Sequence, residues 1–238
     1  MLMEHLNWMQ VEEYLKNDDR IVLVTGATEE HGYNSLGTDT QCPWEMAREA
    51  CDREGVLLAP ALPYGPSAFS LAYPGTVSIS LEAYLAYTRD ILRSLVRHGF
   101  KRILIINGHG GNEIITKVIE ELVIDRPDLT IKLRSWYLMP KTRKRMAELG
   151  GHEFHHASWL ESFPWINQPV EIPDKVKPHL DISDYYTLSA REVRDLLGDG
   201  VGGGAYRKDD KTLREFYQLA VGEIANLLRE GWTKVPQG

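Results

Sequence analysis

GATEEHGYNSLGTD, residues 26–39, follows directly on the apolar run Ile21–Thr25 and gathers Glu29, Glu30, His31 and Asp39 into one loop. A short continuous apolar run of this kind reads as a strand buried on both faces, as in a parallel sheet. Loops at the carboxyl ends of such strands are where α/β proteins place their chemistry. A second unit repeats the arrangement: Ile103–Ile106 runs into NGHGGN, residues 107–112. Carboxylates and imidazoles are the ligands of zinc, manganese and iron sites. The two loops are therefore expected to meet and hold metal.

Outward from these loops the chain alternates. Val11–Lys16 reads as a short first helix. A helix is predicted from Thr40 to Glu54, burying Trp44, Ala47 and Cys51, and Val56–Ala59 reads as a short strand. Pro60–Thr76, PALPYGPSAFSLAYPGT, is too long for a tight connection, and loops of that length in compact domains are often functional. Ser80 should cap a long helix with Tyr84, Tyr87, Ile91 and Leu95 at helical spacing and Gly99 at its end. Glu113–Asp125 is predicted helical, Leu129–Leu133 a strand, and Leu213–Leu228 the closing amphipathic helix. Strands alternating with helices argue for a parallel sheet with helices on both sides. Lys141–Arg145 reads as a solvated helix face, and residues 167–190 as an irregular excursion. The glycine-rich residues 198–204 lack the lysine and serine of a phosphate-binding loop.

With 238 residues, 43% of them hydrophobic, the chain suffices for one α/β domain with a real core. A formal charge of -7 argues against a nucleic-acid binder. No apolar run approaches the roughly 18 residues of a membrane span. The acidic, amphipathic N-terminus reads as neither signal nor transit peptide. Cys42 and Cys51 are the only cysteines and read as reduced thiols in a cytoplasmic protein.

Each candidate has a plainer alternative. Glu29 and His31 are two residues apart, so an extended segment points both one way. Asp39 precedes a predicted helix, where Asp is a favoured N-cap. On the plainer reading Glu29 and Glu30 are ordinary exposed acids and His31 a hydrogen-bonded loop residue. Taken together after a buried strand, Glu29, His31 and Asp39 are read as metal ligands. His109 lies between glycines that permit close backbone approach, and Asn107 and Asn112 are placed behind the ligands as donors. His156 and Glu161 would stand about 140° apart on a regular helix and share a site only if His156 lies in a preceding turn. His152 and His155 are read as exposed.

These residues resemble the creatininase, or creatinine amidohydrolase, family. Its pattern E-x-H-G, L-G-T-D, F-P-G-T, N-G-H-G-G-N and H-A-x-x-x-E-[ST] is matched in order. The matching stretches are Glu29–Gly32, Leu36–Asp39, Tyr73–Thr76, Asn107–Asn112, and His156-Ala157 with Glu161-Ser162. The resemblance implies one three-layer α/β domain with a mostly parallel sheet flanked by helices, spanning residues 1–238. It further implies a homo-oligomer, often a hexamer, a small-molecule substrate, and two divalent metals (zinc, manganese or iron). By resemblance Glu29, Asp39 and His109 hold one metal. His31, Asp39 and a further glutamate hold the other, with Asp39 bridging. Where creatininases proper carry a Tyr-Glu pair, this chain has Gly110 and Gly111, so Glu161 becomes the candidate for the missing ligand. Phe69 and Ser70 replace a Glu-His pair, and the segment between His31 and Asp39 is one residue shorter. Two metals sharing a water lower its pKa; His156 is the candidate acid for the leaving nitrogen. Asn112 and the backbone near Gly110 are candidates for oxyanion support, and Ser70 borders the substrate. The expected substrate is a small, cyclic, polar amide or carbonyl compound, with a diketo-inositol ring among the candidates and creatinine a poor one. The competing readings are a cysteine hydrolase using Cys42 and His156, and a metal-binding scaffold without catalysis.

Overall fold

The computed structural model describes residues 1–151, 156–166, 168–181 and 184–233. Four strands, β1 (Arg20–Thr25), β2 (Leu57–Leu58), β3 (Arg102–Asn107) and β4 (Thr130–Ser135), form an all-parallel sheet in the order β2-β1-β3-β4. Successive side chains of a strand point to opposite faces. Ile21, Leu23, Ile103 and Ile105 therefore enter one core, and Val22, Val24, Leu104 and Ile106 the other. The first core is closed by α1 (Trp8–Leu15), α3 (Leu81–His98) and α4 (Ile115–Val123). The second is closed by α2 (Thr38–Glu54), α5 (Pro140–Glu148) and α7 (Asp210–Glu230). This is the three-layer α/β arrangement expected from the alternating pattern, with both faces of a parallel sheet covered.

Element boundaries differ from the sequence reading where caps decide them. The first helix starts at Trp8 because Asn7 and Gln10 form a reciprocal capping box. Ser80 caps α3 as expected, accepting from the Ala83 amide. The second helix starts at Thr38 with Gly37 at its cap position, so Asp39 lies inside the first turn and is not the N-cap. Trp44 is only partly buried; Cys42, Met46 and Ala50 pack the core beside Ala47 and Cys51. Residues Gly110–Ile114 wind as a 3-10 turn, so α4 begins two residues later than predicted. Within the stretch read as irregular, β5 (Val176–Lys177) pairs antiparallel with β6 (Gly204–Ala205), and α6 (Ala190–Leu197) lies between them in the chain. The glycine-rich segment thus delivers a strand. Among the described residues no helix is long and apolar enough to cross a membrane.

The strand register sets Thr25, Asn107 and Ser135 side by side at the carboxyl edge. Asn107 stitches this edge together. Its Oδ1 accepts from Thr25 Oγ1 at 3.1 Å and from the His109 amide at 3.1 Å, while its Nδ2 donates to the His109 carbonyl at 2.7 Å and to Ser135 Oγ at 3.0 Å. The loop after β3 then lies directly on the first turn of α2. A Cβ at Gly108 would stand 1.9 Å from the Asp39 carbonyl oxygen and 2.9 Å from Pro43 Cγ. Neither atom belongs to a flexible side-chain end, so only glycine permits this approach. Gly108→Ala should destabilise the protein by about 2 kcal/mol or more, the range for forced overpacking. A urea titration of the two proteins measures it, and equal midpoints would show that the loop can retreat freely.

Candidate metal centre

Five predicted ligands converge at this edge from four separate elements of the chain. Glu29 and His31 come from the loop after β1, Asp39 from the first turn of α2, His109 from the loop after β3, and Glu161 from a 3-10 turn at Trp159–Glu161. All are buried. Ligand-capable atoms of Glu29, Asp39 and His109 lie within 4.8 Å of one another, and so do those of His31, Asp39 and Glu161. Asp39 divides its oxygens between the clusters: Oδ2 lies 3.1 Å from His109 Nδ1, and Oδ1 lies 3.1 Å from His31 Nε2. Glu29 Oε2 stands 3.0 Å from His109 Nδ1, and Glu161 Oε2 stands 3.8 Å from His31 Nε2.

Hydrogen bonds behind the cluster fix which ring nitrogens face it. His109 Nε2 lies 2.8 Å from the Pro66 carbonyl, which can only accept, so that nitrogen donates. His31 Nδ1 likewise donates to the Glu29 carbonyl at 3.3 Å. Anchoring the far nitrogen in this way leaves the near one for a cation. Ser70 Oγ donates to Glu29 Oε1 at 2.6 Å, and the Ala157 amide donates to Glu161 Oε2 at 2.8 Å. Among the described residues, Glu29 Oε2, Asp39 Oδ2 and His31 Nε2 are buried and find no hydrogen-bond partner outside the cluster itself. An unsatisfied buried group costs about 1–3 kcal/mol, and more when charged. A divalent cation between these atoms removes that cost, and imidazole nitrogen with carboxylate oxygen suits zinc, manganese or iron.

His156 and Glu161 reach one cavity because residues 156–161 are not a regular helix. His156 sits in a turn, Ala157 adopts a left-handed φ of 57°, and only then does the 3-10 turn begin. The angular objection to pairing them thus falls. His156 Nε2 lies 2.9 Å from Glu30 Oε1, and its ring centroid is 4.5 Å from that of His31. Glu30, an ordinary exposed acid on the plainer reading, is buried, and its second oxygen accepts from the Gly32 amide at 3.1 Å. Burial alone would lower the pKa of His156, but the Glu30 carboxylate raises it above the ordinary imidazole value. No sequence signal separated Glu30 from a surface acid; the partner that buries it lies 126 residues away. His152 and His155 lie outside the described residues.

The cluster floors a cavity of about 250 Å³ whose lining includes Glu29, Asp39, His109, Gly110, His156 and Glu161. Phe69, Tyr137 and Tyr185 also line it, the latter two unforeseen. Gly110 borders the open space; a Cβ there would meet nothing nearer than Tyr137 Oη at 3.8 Å. Two residues assigned to the substrate from sequence are placed elsewhere. Ser70 is fully buried behind Glu29, and Asn112 is fully buried with its amide donating to the Gly26 carbonyl at 3.0 Å and Asn107 Oδ1 at 3.2 Å. Asn112 braces the loops by serving a backbone carbonyl that would otherwise be orphaned, and Ser70 holds the Glu29 carboxylate in place. Cys42 is buried in the core with its thiol donating to the Glu161 carbonyl at 3.8 Å, and burial, then Glu161 and Asp39, push its pKa well above the ordinary value, which disfavours the thiolate a nucleophile needs.

A parallel α/β sheet with two imidazole–carboxylate clusters sharing an aspartate at its carboxyl edge defines a class, an α/β protein built around a candidate two-metal site. Within that class, a family model described as creatininase, creatinine amidohydrolase, matches residues 4–228, and the chain belongs to the creatininase family. It is 30% identical over 159 residues to a 3-dehydro-scyllo-inosose hydrolase of Thermotoga maritima, covering 64% of this chain and 51% of the relative. It is 36% identical over 103 residues to a mycofactocin precursor peptide peptidase of Mycobacterium tuberculosis, covering 39% and 41%. The matched region thus spans about half of these relatives or less. A solved creatininase mutant complexed with creatine shares the fold at a TM-score of 0.83 and 21% identity, over 97% of this chain and 98% of that one.

The electrostatics of the cluster generate a pH dependence in the metal-free protein. Burial disfavours both imidazolium forms, yet Asp39 and Glu161 around His31, and Asp39 and Glu29 around His109, hold both pKa values well above the ordinary one. Burial would raise Asp39, but the two imidazoles lower it. A folded-state histidine pKa above the unfolded value, about 6.5, gives stability that is full below that pH and lost as pH rises through the folded value. The lowered Asp39 contributes stability that is lost only as pH falls through its folded value, so it does not oppose this trend. After chelation the melting temperature should therefore fall as pH is raised above about 6.5, and divalent metal should flatten the slope and release protons. Fluorimetric melts with and without chelator check it; a flat profile in the chelated protein contradicts the cluster's charge balance.

Proposed function

We propose that the chain is a metal-dependent amidohydrolase that cleaves a C–N bond in a small, cyclic amide or related carbonyl compound. The observation that supports it most directly is the division of Asp39, one oxygen toward each cluster at 3.1 Å from a ring nitrogen. Glu29, Asp39 and His109 would hold one divalent cation, and His31, Asp39 and Glu161 a second, with Asp39 offering one oxygen to each group. Zinc, manganese and iron all suit the set. When bound, the pair supplies Lewis-acid polarisation of a carbonyl and hydroxide at neutral pH.

The remaining roles fall to the chain. Ser70 and the Pro66 carbonyl hold Glu29 and His109 in place. Glu30 raises the pKa of the His156 imidazole and so favours the protonated form, which can give a proton to the leaving nitrogen. Backbone amides near Gly110 are assigned to the developing oxyanion. A second reading, hydrolysis of a cyclic diketone, is favoured by the name of the Thermotoga maritima relative. A catalytically silent metal scaffold is the third. The unpaired, buried cysteines fit a reducing, cytoplasmic setting, and assembly as a homo-oligomer, a hexamer by family resemblance, belongs to the same proposal.

Elemental analysis of the purified protein should find close to two divalent metals per chain, as a two-metal site requires. Asp39→Ala should lose both, and His109→Ala mainly one. Glu161→Gln should lower kcat/KM by at least about 100-fold. Glu113→Gln should be mild, because the Glu113 carboxylate instead accepts from Ser135 Oγ at 3.0 Å. Turnover is read on a panel of lactams, formamides, a diketo-inositol and creatinine, with creatinine poor. Metal uptake without turnover of any member would favour the scaffold, and preferential turnover of the diketo-inositol the second reading.

A further inference from the structure

We propose that the substrate's scissile group carries a neutral, apolar substituent, aromatic or branched aliphatic, seated on the wall formed by Phe69, Tyr185, Val193, Leu196 and Leu197. This rests on the amidohydrolase reading and names the substrate class for that site. The cavity has two sides of opposite chemistry. One is the carboxylate–imidazole cluster; the other is these five side chains, brought by the long loop after β2, the 3-10 turn Tyr185–Thr187 and α6. A polar head on the cluster and an apolar tail on the wall is the arrangement that satisfies both.

Three observations carry the assignment further. Among the described residues lining the cavity there is no lysine or arginine, and the charged groups present are carboxylates and imidazoles. A substituent bearing a carboxylate or phosphate would meet carboxylates and no basic side chain of that kind. The wall is also built in advance. The Phe69 ring meets Tyr185 edge-on at 5.4 Å and His156 at 6.4 Å. Arg194 of α6 donates to the Ala72 carbonyl at 2.6 Å and lies 5.3 Å over the Tyr73 ring, tying the helix to the loop that carries Phe69. Finally, Val193 and Leu197 are buried, whereas Leu196 and Tyr185, which also line the cavity, keep 41% and 40% of their surface exposed, so the wall carries apolar surface that a ligand can cover. The volume, about 250 Å³, is below the ~300–1,000 Å³ usual for ligand pockets and matches one ring-sized group against the wall.

Hydroxamates separate head from tail, because their chelating head is constant. On the metal-loaded protein, benzohydroxamate should bind about 10- to 100-fold more tightly than acetohydroxamate, the range expected for burying a phenyl group. 4-Carboxybenzohydroxamate should lose most of that gain. Leu196→Ser and Tyr185→Ser should each weaken benzohydroxamate several-fold more than acetohydroxamate; the ratio within one variant is insensitive to partial unfolding. Calorimetry reads all of these. Equal affinity for the methyl, phenyl and carboxyphenyl probes overturns this inference and leaves the metal reading standing. Tighter binding of the carboxylated probe overturns it in favour of an anionic substrate. Failure to take up metal or to bind any probe removes the amidohydrolase reading, and this inference with it.

Discussion

Asp39 presents one carboxylate oxygen to each of two buried imidazoles, and much of the site follows from that arrangement. A carboxylate taken out of water is costly unless paired with positive charge. Here three carboxylates and two imidazoles share a space from which water is largely excluded. Their charges balance only with cations among them, protons in the free protein or metal ions in the loaded one. The site thus couples protonation, metal affinity and stability through one residue, and a change at Asp39 is felt in both clusters.

Holding five side chains in this arrangement requires the loops after β1 and β3 and the start of α2 to approach more closely than side chains allow. The parallel register brings Thr25 and Asn107 together, Asn107 absorbs the backbone groups freed where the strands end, and Gly108 lets the loop touch the Asp39 carbonyl. The two apolar cores on either side of the sheet make that edge rigid. Residues 156–161 then close the site from above. Ala157, in a left-handed conformation, donates its amide to Glu161 while His156 turns toward Glu30. Such a conformation in a non-glycine residue persists only where surrounding contacts enforce it, which is common at functional sites.

The cavity joins this polar floor to an apolar wall, and the two have different origins in the fold. The floor belongs to the sheet edge. The wall belongs to α6 and the long loop after β2, elements tied to each other by Arg194 and Tyr73. Specificity can therefore change through the wall without disturbing the cluster, the usual division between scaffold and loops in α/β proteins.

Local chemistry in the sequence determined the four strands of the parallel sheet, the helices that flank it and the identities of Glu29, His31, Asp39, His109 and Glu161 as candidates. Buried strands announce themselves as apolar runs, and imidazoles and carboxylates beside glycines mark loops with chemistry. The same local view misassigned residues whose roles depend on partners far along the chain. Glu30 could be an ordinary surface acid until His156 arrived beside it, and the cap alternative for Asp39 fell only when Gly37 took that position. Ser70 and Asn112 looked like substrate contacts, yet they point into the loops they brace. The apolar wall had no signature, because Phe69, Tyr185 and Leu197 are ordinary residues scattered over more than a hundred positions. Residue type and spacing fix what a segment can do; burial and partners, which exist only once the chain has folded, decide which of those things it does.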